Sequence, residues 1–356
     1  MSNFWNSRTK NINPYVPGEQ PRDRKFIKLN TNENPYPPSL KVIQAVKNAV
    51  NEELRLYPDP DSTAFREAAA LRFGVKPQQV FAGNGSDEIL AFAFGAFFES
   101  GVSAKPLLFP DITYSFYPVY ADLWDIPVSK IPLQDDFSIN CADYKILSGG
   151  VIFPSPNAPT GIPVSLADIL SLAEFLEKQG KILVVDEAYI AFGGESAVPF
   201  INKHPNLLTV HTMSKSASLA GMRFGFAIGS EELMEGLCRI KDSFNSYPVD
   251  RLALAGAAAA ISDSEYYEKI NSRIVSTRER VTKTLCDNGF HVLPSAANFI
   301  FVKSPNKSGD DFFAELREKG ILARHFKKER ISDFLRVSIG TDEEMDIFLD
   351  ICRAII

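Results

Sequence analysis

Three absences narrow what this chain can be. Cysteine is sparse: Cys141, Cys238, Cys286 and Cys352 are scattered through 356 residues, and no two form a Cys-x-x-Cys pair. That excludes a disulfide framework and fits a reducing compartment. Long apolar runs are missing. The longest, Ile89 to Phe98, is interrupted by Gly95, whereas a membrane span needs roughly 18 or more apolar residues. This run is expected to be a buried helix. The opening Met-Ser-Asn-Phe-Trp-Asn-Ser-Arg-Thr-Lys has no apolar signal core, so a cytoplasmic protein is expected. Long basic runs are missing as well. With a net charge of −6, neither nucleic acid nor an anionic membrane is an expected partner.

What is present is an ordinary globular composition, long enough for one large core and a second, smaller one. Residues 1–38 are rich in Asn and Pro, which predicts an irregular arm. Ser39 is placed to cap a helix with an apolar stripe of Leu40, Ile43, Val46, Val50 and Leu54. From 39 to 245 short apolar strands alternate with helical stretches. The strands are Leu107-Leu108-Phe109, Val151-Ile152-Phe153, Ile182 to Val185, Leu207 to Val210 and Phe224 to Ile228. Leu166 to Leu176 reads as a helix between two of them. This pattern predicts an α/β domain with a mainly parallel sheet covered on both faces. Residues 246–356 change texture, with long helices at Asp250–Asp263 and Glu265–Asn288 and strands near Phe299–Val302 and Leu335–Ser338. The closing helix starts at a Thr341/Glu344 capping box and buries Met345, Phe348, Leu349, Cys352, Ile355 and Ile356. A smaller α+β domain is expected there, with the arm packed against it.

Parallel sheets bind ligands beyond the carboxyl ends of their strands. Four notable residues fall there: Tyr114, Asn157, Asp186 and Lys215. Lys215 lies in Thr212-Met213-Ser214-Lys215-Ser216-Ala217, with Arg223 eight residues on. Lysine is the side chain that forms a reversible imine with an aldehyde, and Ser214 and Arg223 could hold a phosphate. Alone, a Ser-Lys pair is far more often a surface turn. Asp186 ends an apolar strand, where a carboxylate can keep a pyridine nitrogen protonated, although a strand-end Asp is also a common helix cap. Tyr189 follows three residues later. Asn157 sits in the Pro-rich turn Phe153 to Gly161. Gly83-Asn84-Gly85-Ser86-Asp87-Glu88 precedes an apolar helix, and free amides at a helix start bind phosphate. This last motif does not match the dinucleotide fingerprint.

Taken together, in this order and spacing, these motifs resemble the fold-type I aminotransferases over nearly the whole chain. The resemblance is closest to the histidinol-phosphate aminotransferase branch. It is carried by Leu29 to Pro35, Arg55-Leu56-Tyr57-Pro58-Asp59, Gly85-Ser86-Asp87-Glu88, Asp186 to Phe192 and Leu335 to Thr341. The resemblance implies pyridoxal 5′-phosphate as cofactor, held by Lys215 as a Schiff base. It implies that Lys215 also shuttles the proton, that Asp186 pairs with the ring nitrogen, that Tyr189 and Asn157 bond the ring hydroxyl, and that Tyr114 stacks on the ring. It assigns the phosphate to the amides of Ser86 and Asp87 with Ser214 and Arg223. Tyr57 is implied to reach the neighbouring subunit's cofactor, hence a homodimer. Two positions depart from the family pattern: Ala158 replaces a second Asn after Asn157, and Ser86 replaces the usual Ala.

At the substrate end, a planar arginine fork suits a carboxylate. Arg336 matches the family's carboxylate arginine, and the alternative is an arginine at an edge-strand tip. Arg324 matches an arginine that contacts the substrate phosphate in the histidinol-phosphate branch, and the alternative is a solvated residue beside Lys327, Lys328 and Arg330. Tyr15 resembles a tyrosine that closes over the substrate. The implied partners are a small amino donor and a 2-oxo acid acceptor. Three other readings stay open: an aromatic amino acid aminotransferase, a threonine-phosphate decarboxylase, and a cofactor-sensing regulatory module.

Overall fold

The computed structural model describes residues 3–21 and 25–355. Its centre is a seven-stranded sheet in the order Val80–Gly83, Gly225–Ile228, Leu207–Thr212, Leu183–Asp186, Gly150–Pro154, Leu107–Pro110 and Val128–Ile131. Gly225–Ile228 runs antiparallel to both neighbours, and the other pairings are parallel. Both faces are buried. Leu108, Val151, Phe153, Leu183 and Val185 face one core, while Leu107, Phe109, Ile152 and Val184 face the other. Strands covered on two faces need no polar side, so they read as unbroken apolar runs.

Two strands of this sheet escaped the sequence pattern. Val128–Ile131 is an edge strand with alternating half-exposed residues, and Val80–Gly83 is four residues ending in glycine. The apolar run at Ile89 to Phe98 does form a buried helix, Gly85–Phe97.

The expected stripe after Ser39 is corrected. Ser39 caps the helix Leu40–Ala49 through its hydroxyl, but Val42 is the buried residue. Leu40, Val50 and Leu54 are exposed. The helix stops before Val50, and Leu54 falls in the short 3-10 turn Glu52–Arg55. A helical period therefore does not carry across the break. The arm is also less irregular than its composition suggests. It holds a short helix, Ser7–Asn11, and a strand, Ile27–Lys28, parallel to Ile321–Leu322.

A four-stranded antiparallel sheet follows in the order Arg324–His325, Phe334–Ser338, Phe299–Lys303 and His291–Val292. The closing helix Asp342–Ile355 packs on it through Met345, Phe348, Leu349, Cys352 and Ile355; Ile356 lies outside the described residues. The capping box is closed in both directions, Thr341 N–H to Glu344 Oε2 and Glu344 N–H to Thr341 Oγ1. Helix Arg251–Ile261 packs on the large-sheet core. The long helix Ser264–Asp287 serves both cores, Tyr267 and Ile270 in the large one, Ile274, Val281 and Leu285 in the small one. This one helix therefore links the two cores. Among the described residues no helix is long and apolar enough to cross a membrane.

Arg278, buried in that long helix, donates through Nη1 to the carbonyls of Phe192 and Ala297 at 2.8 Å each. It ties the loop after strand Leu183–Asp186 to the small sheet. Arg278→Leu leaves two buried carbonyls unpaired and is expected to cost about 3 kcal/mol. The urea midpoint measures this; an unchanged midpoint would show that the tie is not structural.

Candidate active site

Four parallel strands deliver their ends to one edge of the large sheet. Tyr114 follows Leu107–Pro110, Asn157 follows Gly150–Pro154, Asp186 ends Leu183–Asp186, and Lys215 follows Leu207–Thr212. A cavity of about 190 Å³ opens at this edge, roofed by Asn30, Thr31 and Asn32 of the arm and by the small sheet. All the residues singled out from the sequence line it except two. Asn157 is fully buried behind the wall. Its Nδ2 donates to Ile112 O and Thr160 Oγ1, and its Oδ1 accepts from Thr113 Oγ1. It braces the turn that carries Tyr114. Tyr57 stands outside the cavity, 79% exposed and stacked on Tyr247.

Lys215 sits at the junction of the three parts. Its Nζ donates to the carbonyl of Thr31 at 2.9 Å, and Asn34 Nδ2 donates back to the Lys215 carbonyl at 3.0 Å. Burial, helped by the positive charge of Arg336, pulls the amine down to about 8. Water no longer solvates the cation, so the neutral form is favoured. Asp186 is buried as well, and burial pushes its carboxyl up to about 6. The Ala188 N–H on Oδ1 and the Tyr117 hydroxyl on Oδ2, each at 3.1 Å, oppose that rise.

The cup for an anion is built from close approach. Helix Gly85–Phe97 begins at Gly85, whose φ of +81° suits glycine, and a Cβ there would lie 2.7 Å from Arg223 Nη2. A Cβ on Gly225 would lie 2.4 Å from the Ser86 nitrogen. Backbone leaves room only for hydrogen at Gly225, and the left-handed φ favours glycine at Gly85. Arg223 donates to Asp87 Oδ2 at 2.8 Å and reaches Ser214 Oγ at 3.4 Å. The other Asp87 oxygen accepts from the Tyr114 hydroxyl at 2.7 Å. Asp87 therefore does more than offer a backbone amide, since its carboxylate aligns two neighbours. No local signal shows this, because those partners lie 27 and 136 residues away. Tyr117 was missed for the same reason: its partner Asp186 is 69 residues on.

At the opposite end, Arg336 and Arg324 are direct cross-strand partners, and both line the cavity. Arg336 lies in the inner strand Phe334–Ser338, not at an edge. Its Nη2 donates to Asn30 O at 3.1 Å, and its buried Nε has no hydrogen-bond partner among the described residues. Arg324 reaches Val16 O at 3.4 Å. Like charges opposite each other on a sheet repel, so this pair puts two positive charges on one cavity wall. Tyr15 stacks on Phe116 at 4.2 Å and closes the cavity from the arm.

Residues 24–351 match the family model of aminotransferase class I and II. The chain belongs to this aminotransferase family. It is 53% identical to the histidinol-phosphate aminotransferase of Clostridium acetobutylicum over 350 residues, 98% of each chain. The namesake from Aromatoleum aromaticum is 49% identical over the whole of both chains. In structure, the chain superposes on histidinol-phosphate aminotransferase from Sinorhizobium meliloti in complex with pyridoxal-5′-phosphate. The TM-score is 0.87, covering 100% of this chain and 99% of that one, at 23% identity. It also superposes on Thermus thermophilus aspartate aminotransferase with a TM-score of 0.84, covering all of both chains at 17% identity. These two likenesses bear on the fold, which is that of the fold-type I aminotransferases.

The cofactor of this aminotransferase is pyridoxal 5′-phosphate, and the residues present suit it: one poorly solvated amine, one buried carboxylate, and a cationic cup. The amine gives a pH prediction. At pH 7, a group titrating near 8 is about one-tenth neutral, against about 3 in 10,000 for an ordinary lysine. Neutral amine is the nucleophile, so the rate at which the cofactor-free protein reacts with an aldehyde should rise with pH and level off above about 8. Stopped-flow absorbance measures it. A midpoint near the ordinary lysine value would mean that the amine is solvated.

Proposed function

We propose that this aminotransferase converts histidinol phosphate and 2-oxoglutarate to imidazole-acetol phosphate and glutamate, in histidine biosynthesis. The observation that carries the substrate is the Arg324–Arg336 pair, two guanidiniums side by side on one cavity wall. The shared name of the relatives at about 50% identity supports the same reading. Phosphate or carboxylate can lie against either fork, so the two half-reactions can share one site.

Pyridoxal phosphate, when bound, supplies an aldehyde for the substrate amine and a ring that acts as an electron sink. Lys215 would hold it, and the Lys215 Nζ would take and return the proton at the substrate's α-carbon. Its depressed basicity suits that role near neutral pH. Asp186 would hold the proton on the ring nitrogen, with Tyr117 and the Ala188 amide keeping the carboxylate charged and oriented. Tyr114 would cover the ring. Tyr189 would donate to the ring hydroxyl, with Asn157 supporting the turn beneath. Ser86, Asp87, Ser214 and Arg223 would hold the phosphate. Tyr15 and the arm would exclude water above the substrate.

The reading includes a cytoplasmic homodimer in which Tyr57 reaches the neighbouring site. Its support is the exposed apolar side chains of Tyr57 and its stacking partner Tyr247, with Leu54 and Leu56 exposed beside Tyr57 in sequence. Such a patch suits burial against a second copy.

The holoenzyme mixed with histidinol phosphate should lose the visible absorbance of its aldehyde form in one turnover. Phenylalanine, tyrosine and threonine phosphate should react more slowly. Preference for the unphosphorylated aromatic amino acids, or release of carbon dioxide from threonine phosphate, would overturn the proposal. Arg324→Ala removes a charged hydrogen bond worth about 2–3 kcal/mol, so KM for histidinol phosphate should rise by about 30- to 150-fold. An unchanged KM would place the phosphate elsewhere.

A further inference from the structure

We propose that Asn32 is a positioning residue that sets the direction of Tyr189's hydrogen bond, so that the phenol donates into the active-site cavity. This rests on the reading above, in which the cavity holds pyridoxal phosphate with its ring oxygen facing Tyr189.

Asn32 is almost fully buried, lines the cavity, and has a left-handed backbone with φ of +55°. Asparagine is among the few residues that adopt this conformation readily. Its backbone N–H donates to Ser338 Oγ at 2.8 Å, and its carbonyl accepts from Asn298 Nδ2 at 3.0 Å. The main chain of the arm is thereby pinned to the small sheet. The side chain is pinned too. Its Oδ1 accepts from the Ser338 hydroxyl at 3.0 Å. That bond turns the amide oxygen toward Ser338. The Nδ2 end then faces Tyr189, and it donates to the phenol oxygen at 2.9 Å.

The consequence is directional. A phenol has one hydrogen. Because Asn32 can only donate from Nδ2, Tyr189 accepts there and must send its hydrogen elsewhere. Tyr189 lines the cavity, and the ring oxygen of the bound cofactor is the acceptor that uses that hydrogen. A donated hydrogen bond stabilises that oxygen in its deprotonated form. Asn157, the other residue expected at the ring hydroxyl, has both amide hydrogens committed to Ile112 and Thr160, which places more of this duty on Tyr189. Other charged and titratable groups around Tyr189 are Arg336, Asp186, Tyr15, Lys215, Tyr114 and Tyr117, and the variants below leave them in place.

The experiment is a spectroscopic pH titration of the holoenzyme, arranged as a double-mutant cycle. Asn32→Asp keeps the shape of the side chain but offers an acceptor, so Tyr189 turns its hydrogen away from the cofactor. The pH midpoint of the cofactor's visible absorbance should rise by about one pH unit. Tyr189→Phe should raise it similarly, and the double variant should go no further than Tyr189→Phe alone. Ser338→Ala, which frees the amide to rotate, should move the midpoint the same way by a smaller amount. A midpoint unmoved by both Asn32→Asp and Ser338→Ala would overturn the inference. So would an Asn32→Asp shift that persists undiminished in the Tyr189→Phe background, because it would then be a through-space charge effect. A wild-type protein that develops no pH-dependent absorbance with pyridoxal phosphate would overturn the cofactor reading itself, which is a separate result.

Discussion

The site is organised by the loss of water around one amine. Lys215 Nζ, near the junction of the large sheet, the arm and the small sheet, exchanges hydration for a single carbonyl, that of Thr31. A lysine in that position is less basic and more nucleophilic than one in solvent. Every other part of the site either maintains that burial or compensates for it. The arm supplies the roof, the four-stranded sheet supplies Arg336, and Asp87 offsets charge from the far side.

Charge is arranged in two poles with the amine between them. At one pole Arg223 is held by Asp87, which also fixes Tyr114. At the other, Arg324 and Arg336 face each other across adjacent strands, with Arg336 Nε left without a partner among the described residues. At the first pole Asp87 already balances Arg223; at the second, among the described residues, the two guanidiniums have no carboxylate partner, so an anionic substrate group would balance them. Asp186 adds a buried carboxylate on the sheet side, and its two hydrogen bonds oppose its neutralisation by burial.

The two cores are not independent bodies joined by a hinge loop. Helix Ser264–Asp287 belongs to both, and Arg278 on it bonds carbonyls from both sides. The arm is a third tie, pairing Ile27–Lys28 with Ile321–Leu322 and then passing directly over Lys215. The segment Asn30 to Asn34 is thus both structural and chemical. Its asparagines spend their amides on Tyr189, on Lys215 and on the arm itself.

Sequence by itself determined a good deal here. Strand-end placement follows from local pattern, so Tyr114, Asp186 and Lys215 could be placed at one sheet edge from apolar runs and their breaks. The Thr341/Glu344 cap and the buried helix at Gly85–Phe97 were legible because their partners are three or four residues away. Tertiary structure decided what depends on distant partners. Tyr117 joins Asp186, Asp87 joins Arg223, and Asn32 joins Tyr189 across 69, 136 and 157 residues. No periodicity encodes such pairs. Tertiary structure also engaged the Asn157 amide with Ile112 and Thr160, left Leu40 and Val50 in solvent, and ran one long helix through both cores. Local rules settle what a residue can form with its chain neighbours; only the packed fold settles which distant group takes its last hydrogen bond.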